Sequence, residues 1–217
     1  EENETGTLFS LANEDGSAML SFAANGAINF KSPNGSFSST ETIALAANEW
    51  HYIATLINVD GYEIYVNGES KINHASTTLD FSVVKDFMIE APYFYLGYGD
   101  ERLKGATYFN DLKVYRNMVT AKEIKTPSVK PPVLEDTYEF PPLNTMGYYL
   151  LDGSFTNLMN PSQGGELITV EEQANPSGFI SDATRGMVWN QQEGWTGHGN
   201  GWAYTRFDNP LKGAQLT

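Results

Sequence analysis

The chain has 217 residues, 41% of them hydrophobic and 13% aromatic, enough for a sizeable buried core. Its 13 basic and 27 acidic residues give a formal net charge of −14, which repels phosphate backbones and anionic lipid and so argues against nucleic acid and membrane surfaces as partners. The absence of cysteine removes disulfides, thiolate metal sites and a cysteine nucleophile, and no apolar run approaches the ~20 residues that membrane insertion of a helix needs.

Residues 1–5 are polar and read as a frayed end. Leu8 to Leu11 and Ala18 to Phe22 read as strands around the turn Asn13-Glu14-Asp15-Gly16, and Ala27 to Phe30 runs into a second turn, Ser32-Pro33-Asn34-Gly35. Ile43 to Ala46 leads to the clearest element of the chain, Trp50 to Asn67. There Tyr52, Ala54 and Leu56 alternate with Ile53, Thr55 and Ile57, and Tyr62, Ile64 and Val66 alternate with Glu63 and Tyr65. Asp60-Gly61 between the runs is a strong hairpin signal, because glycine takes a positive φ without steric cost. Phe87 to Ile89, Tyr93 to Leu96 and a long run from Tyr108 to Tyr115 read as further strands, and the one helical turn expected lies near Ala121 to Lys125. Pro127, Pro131, Pro132, Pro141 and Pro142 make residues 127–143 an extended connector. Beyond it, Tyr148 to Leu151, Phe179 to Ser181, Gly186 to Trp189 and Tyr204 to Phe207 read as strands. Strands at roughly ten-residue spacing with almost no helical period predict an all-β sandwich or jelly roll.

Several of these stretches resemble one family. Asn48-Glu49-Trp50-His51-Tyr52-Ile53-Ala54, followed by Tyr62-Glu63-Ile64-Tyr65-Val66-Asn67-Gly68-Glu69, is similar to the centre of laminin G-like, concanavalin A-like jelly rolls. Tyr95-Leu96-Gly97 and the run from Gly105 to Arg116 resemble the family's closing strands, and Ala121-Lys122-Glu123-Ile124 its final turn. Thr107 and Asn110 depart from the pattern, standing where glycine and aspartate are usual. Tyr148-Tyr149-Leu150-Leu151-Asp152-Gly153-Ser154 resembles the family's opening strand, with the strands up to Tyr204–Phe207 as its next members. The resemblance implies a sandwich of two antiparallel sheets, and a fold that hosts lectins, glycanases, adhesion modules and spacers alike.

The motif order is inverted, since later family strands (1–126) precede the opening ones (144–217). Either one sandwich spans 1–217 with permuted strand order, completed in cis or in a strand-swapped dimer, or the chain cuts across two tandem modules. A half jelly roll would leave an open apolar face and unpaired edges, which favours the single sandwich. One family strand, usual between the Phe207-Asp208 segment and Leu8, has no counterpart here.

Three groupings bear on chemistry. Trp189, Trp195 and Trp202 lie among Gly194, Gly197, Gly199 and Gly201, with His198 between them. Trp195 and Trp202 in so polar a run suit stacking on a pyranose, with Asn190, Gln191, Gln192 and Asn200 to bond hydroxyls; Trp189 reads as core. The resemblance also implies a structural Ca²⁺ held by Asp111 and Asp152, with Asn157 as neighbour and Asp208 as an alternative, an oxygen-ligand set suited to that ion. For catalysis, the glycanases of this fold carry two Glu at a two- to four-residue spacing on one strand. Here Glu171 and Glu172 are adjacent and face opposite sides of a strand, and Glu166 lies beyond a Gly-Gly turn. His51, His74 and His198 form no triad or zinc pattern. The expectation is a non-catalytic module that takes a polysaccharide, other glycan or protein. Its setting would be extracellular or on a bacterial cell surface, with the periplasm as alternative and a glycoside hydrolase or a structural spacer as the rival functions. No secretory leader is recognisable, so the chain reads as a mature, trimmed or cytoplasmic form.

Overall fold

The computed structural model describes residues 6–75, 80–99, 103, 106–117, 124, 145–170, 177–192 and 202–216. Fifteen strands and one helix are present among them. β1 (Thr7–Ala12), β2 (Met19–Ala23), β3 (Ile28–Ser32) and β4 (Gly35–Ser38) form a meander. β5 (Ile53–Ile57), β6 (Gly61–Val66) and β7 (Glu69–Ala75) form a second one, and α1 (Ser82–Glu90) leads to β8 (Tyr93–Leu96). β9 (Ala106–Phe109) and β10 (Leu112–Tyr115) follow. β11 (Thr145–Tyr149), β12 (Gly165–Val170), β13 (Gly178–Asp182), β14 (Gly186–Gln192) and β15 (Trp202–Asp208) complete the set.

One layer is a seven-stranded antiparallel sheet in the order β12-β15-β8-β1-β2-β3-β4. The other is divided into β13-β14-β9, β10-β11 and β5-β6-β7. Strands from before and after the proline-rich connector therefore pair directly: β15 with β8, β14 with β9, and β11 with β10. This is an all-β, antiparallel jelly roll.

Alternation sets the two faces of the large sheet. Phe9, Leu11, Leu20, Phe30, Phe94, Leu96 and Phe207 point between the layers and join one core with Tyr62, Ile64, Tyr149 and Trp189. Phe94 and Phe207 stand directly opposite each other, rings stacked at 4.6 Å and 2°. Tyr149 meets both edge-on at 5.7 and 5.1 Å, and Phe155 bridges Phe207 to Trp189 at 5.5 and 4.7 Å.

The helix is a correction. Phe87 to Ile89 is not a strand; it lies in α1, where Phe81, Val84 and Phe87 recur at a helical spacing and are buried. Asp80 starts it, its Oδ1 accepting from Ser82 N at 2.9 Å, and Phe87 meets Phe30 at 5.7 Å. Asn209 closes it by donating from Nδ2 to the carbonyls of Met88 and Ala91, both at 2.8 Å. The run 108–115 is likewise not one strand, because Asp111 takes φ 60° and breaks it into β9 and β10. β4, β7 and β12 are additional strands; their polar or glycine-containing sequences hide the alternation. Of the turn expected at 121–125, Ile124 is helical and buried, and its neighbours lie outside the described residues.

Gly165 shows how tightly the aromatic stack is packed: a Cβ there would stand 2.4 Å from the Phe207 ring, whereas one at Gly178 would meet open space. Gly165→Ala should therefore cost about 1–3 kcal/mol by overpacking, while Gly178→Ala stays within about 0.5 kcal/mol. Urea denaturation of the two variants checks this.

Candidate functional site

The register that turns Phe94 and Phe207 inward turns their neighbours outward. Tyr93 and Tyr95 on β8, Tyr204 and Arg206 on β15, and Glu166 on β12 emerge on the outer face of the large sheet. Tyr98, just past β8, folds back onto them: its ring lies 5.0 Å from Tyr95 and 5.1 Å from Tyr204, and Tyr95 meets Tyr204 at 5.7 Å. Tyr93 continues the row 6.4 Å from Tyr95, with the Arg206 guanidinium 4.6 Å over its ring. Arg206 also donates to Glu166 Oε1, which raises its affinity for the proton further. Ser10 Oγ donates to the Tyr98 carbonyl at 2.5 Å, tying this shelf to β1.

Tyr95 is buried while Tyr93, Tyr98 and Tyr204 are half-exposed, so the shelf has a fixed base and accessible rings. Burial pushes the Tyr95, Tyr98 and Tyr204 phenols up, and their mutual proximity adds to it for Tyr95 and Tyr98. All three stay neutral hydroxyls at physiological pH, able both to donate and to accept. The sequence carries a signal for this shelf: tyrosine at 93 and 95, alternating with core residues, and tyrosine and arginine at 204 and 206. Sequence reasoning passed over it because strand tyrosines are so often core.

The residues expected to hold sugar fall in different places. Trp195, His198 and Asn200 lie outside the described residues, and Trp202 opens β15 opposite Val170. Asn190 is on β14 and only 7% exposed, facing Gly178 across the ladder. Gln191 is fully buried: Thr205 Oγ1 donates to its Oε1 at 2.8 Å and Trp189 Nε1 at 3.3 Å, a polar link inside the core. Trp189 is core, as expected.

The expected metal ligands gather around Tyr148. Burial raises its phenol first, then the charge and hydrogen bond of Asp111, with Tyr115 and Asp152 adding less. Asp111 and Asp152 thus act on one group. Lys113 already answers Asp111, its Nζ 3.1 Å from Oδ2, and sits 4.8 Å over the Tyr148 ring. Asn157 does not fit a ligand's role. Its Oδ1 accepts from the backbone N–H of Tyr148 at 3.1 Å and Met159 at 3.0 Å, using both lone pairs, and its Nδ2 donates to Met146 O and Gln163 Oε1. It is a buried brace that holds residues 157–163 against β11. Among the described residues no three His, Asp or Glu side chains gather as a metal site. Of the histidines, His51 bonds the Ala46 carbonyl through Nε2 at 3.0 Å and His74 pairs with Glu41 at 2.5 Å.

A two-layer antiparallel sandwich of this kind defines the jelly-roll class of domains. A family model described as the concanavalin A-like lectin/glucanases superfamily matches residues 1–125, more than half of the chain, and the chain belongs to that superfamily. No curated protein and no solved structure matches it.

The phenols make a pH prediction. Tyr62 is pushed up to about 12, chiefly by burial, and Tyr95, Tyr98, Tyr148, Tyr149 and Tyr204 are raised by the same cause. Above pH 10, the ordinary value, the unfolded chain loses these protons before the native one does. The native state then binds more protons, and stability falls as pH rises. This contribution is fully present below pH 10 and is lost as pH climbs through the folded-state values, so the urea midpoint should drop steeply above pH 10. Phenolate absorbance should rise together with unfolding.

Proposed function

We propose that this chain is a non-catalytic carbohydrate-binding or adhesion module, taking a polysaccharide across the outer face of the seven-stranded sheet. The supporting observation is the shelf of Tyr93, Tyr95, Tyr98 and Tyr204, with Arg206 and Glu166 beside it. Half-exposed rings present apolar faces to the C–H face of a pyranose, while their hydroxyls and the Arg206–Glu166 pair offer donors and acceptors for sugar hydroxyls. Trp202 stands two residues before Tyr204 on β15 and so belongs to the proposed site, and Trp195, His198 and Asn200, which precede it in the sequence, are proposed as further sugar contacts. An exported, bacterial setting belongs to the same proposal and rests on the superfamily alone.

A hydrolase-related reading has one observation in its favour. Glu166 and Asp208 share the tyrosine face, two residues apart in ladder register around Arg206. Both are already engaged, Glu166 with Arg206 and Asp208 Oδ2 with the Gly164 amide at 3.3 Å. The binding reading needs neither carboxylate to react.

A glycan array, followed by titration of the best ligand and an activity screen on the same polysaccharides, decides between them. Tyr98→Ala, Tyr204→Ala and Trp202→Ala should each weaken binding by about 1–3 kcal/mol, the scale of a lost stacking surface, without changing the urea midpoint by a comparable amount. Turnover that Glu166→Gln abolishes while binding survives would establish the hydrolase instead. Absence of any glycan ligand would overturn both.

A further inference from the structure

Carboxylates border the tyrosine shelf at both ends and along one side. At the Tyr98 end lies the turn between β1 and β2. A Cβ on Gly16 would stand 3.1 Å from the Tyr98 hydroxyl, and the charge of Asp15 helps to raise that phenol. At the other end Asp208 stands opposite Tyr93 in the ladder of β15 and β8. Along the side, Glu166 stands opposite Arg206, which itself faces Tyr95.

The acids at the two ends keep their charge. Asp15 is exposed and accepts from the Ser17 amide at 2.8 Å; the Ser17 hydroxyl and amide hold its carboxyl below the usual carboxylate range. Asp208 Oδ2 accepts from the Gly164 amide at 3.3 Å. A hydrogen bond from a neutral donor leaves a carboxylate charged. Arg206, the cation beside the rings, is already committed: it donates to Glu166 and lies 4.6 Å over the Tyr93 ring. An incoming carboxylate or sulfate would have to take Arg206 from Glu166, which would then stand uncompensated next to the new anion. An uncharged sugar makes no such demand, because it can hydrogen-bond to the intact pair.

We propose that the shelf selects uncharged glycans and rejects carboxylated or sulfated ones. Glu166 is the specificity-determining residue, keeping Arg206 from recruiting an anion, while Asp15 and Asp208 repel anions at the two ends. The chain's net charge of −14 acts in the same direction. This selectivity rests on the carbohydrate-binding reading above and adds the class of ligand to it.

The test titrates soluble glucan, mannan and galactan, and the same polymers oxidised at C6 to uronates, into the whole chain. At low salt the best-bound uncharged polymer should exceed its uronate form at least about tenfold, and the ratio should narrow as salt screens the carboxylates. Glu166→Gln should shift that ratio toward the uronate by about tenfold, because Arg206 can then take the carboxylate. Glu166→Gln combined with Arg206→Gln should lose that gain. Asp15→Asn, which keeps an oxygen to accept from the Ser17 amide, should shift the ratio the same way by a smaller factor. Uronate binding equal to or tighter than that of the uncharged polymer, or a ratio that Glu166→Gln leaves unmoved, overturns the selectivity. If Tyr204→Ala weakens that binding, the shelf reading stands and only the selectivity falls. Binding that Tyr98→Ala and Tyr204→Ala both leave unchanged, or no binding of either form, overturns the carbohydrate reading of the shelf and the selectivity with it.

Discussion

The stack of Phe94 on Phe207 is the contact on which the rest depends. It joins β8, from the first part of the chain, to β15, from the last, and Tyr149 of β11 and Phe155 of the loop that follows close around it. A one-residue slip of β15 against β8 would turn Phe207 to solvent and Tyr204 and Arg206 inward, so burying the Phe94–Phe207 pair fixes the register. The outer shelf follows without further specification. Once Phe94 and Phe207 point in, Tyr93, Tyr95, Tyr204 and Arg206 must point out, in one row.

The same logic explains the tolerance at the centre. Gly165 lies directly on the Phe207 ring and leaves no space for a methyl group. Polar groups that enter the interior are satisfied in pairs: Gln191 with Thr205 and Trp189, and Asn157 with the backbone of β11 and its own loop. Such buried amides brace the connection between layers, at a location where an unpartnered amide would be costly. Two of the polar residues that looked suited to sugar or metal therefore hold the fold together.

Most of the strand framework was legible in the sequence, because Tyr52–Val66, Tyr93–Leu96 and Tyr204–Phe207 carry clean alternation. The helix was missed because its apolar set, Phe81, Val84 and Phe87, is short and runs into strand-like Phe87-Met88-Ile89. The break at Asp111 was invisible, since nothing in the Asn110-Asp111 pair says which residue will turn to positive φ. The site was read less well. Tryptophan in a glycine-rich run is a louder signal than tyrosine on a regular strand, yet the ladder assembles four tyrosines from two distant segments, which sequence spacing does not reveal.

The most direct test of the account is a double-mutant cycle on Phe94 and Phe207, each replaced by leucine, measured by urea denaturation with far-UV and aromatic probes. Parallel reading of the two probes reports whether the parts of the chain before and after the proline-rich connector unfold as one unit. The account predicts a coupling energy of about 0.5–1.5 kcal/mol between the rings and a single coincident transition in every variant. Additive effects with two separable transitions would contradict it, because β8 and β15 would then not share a core.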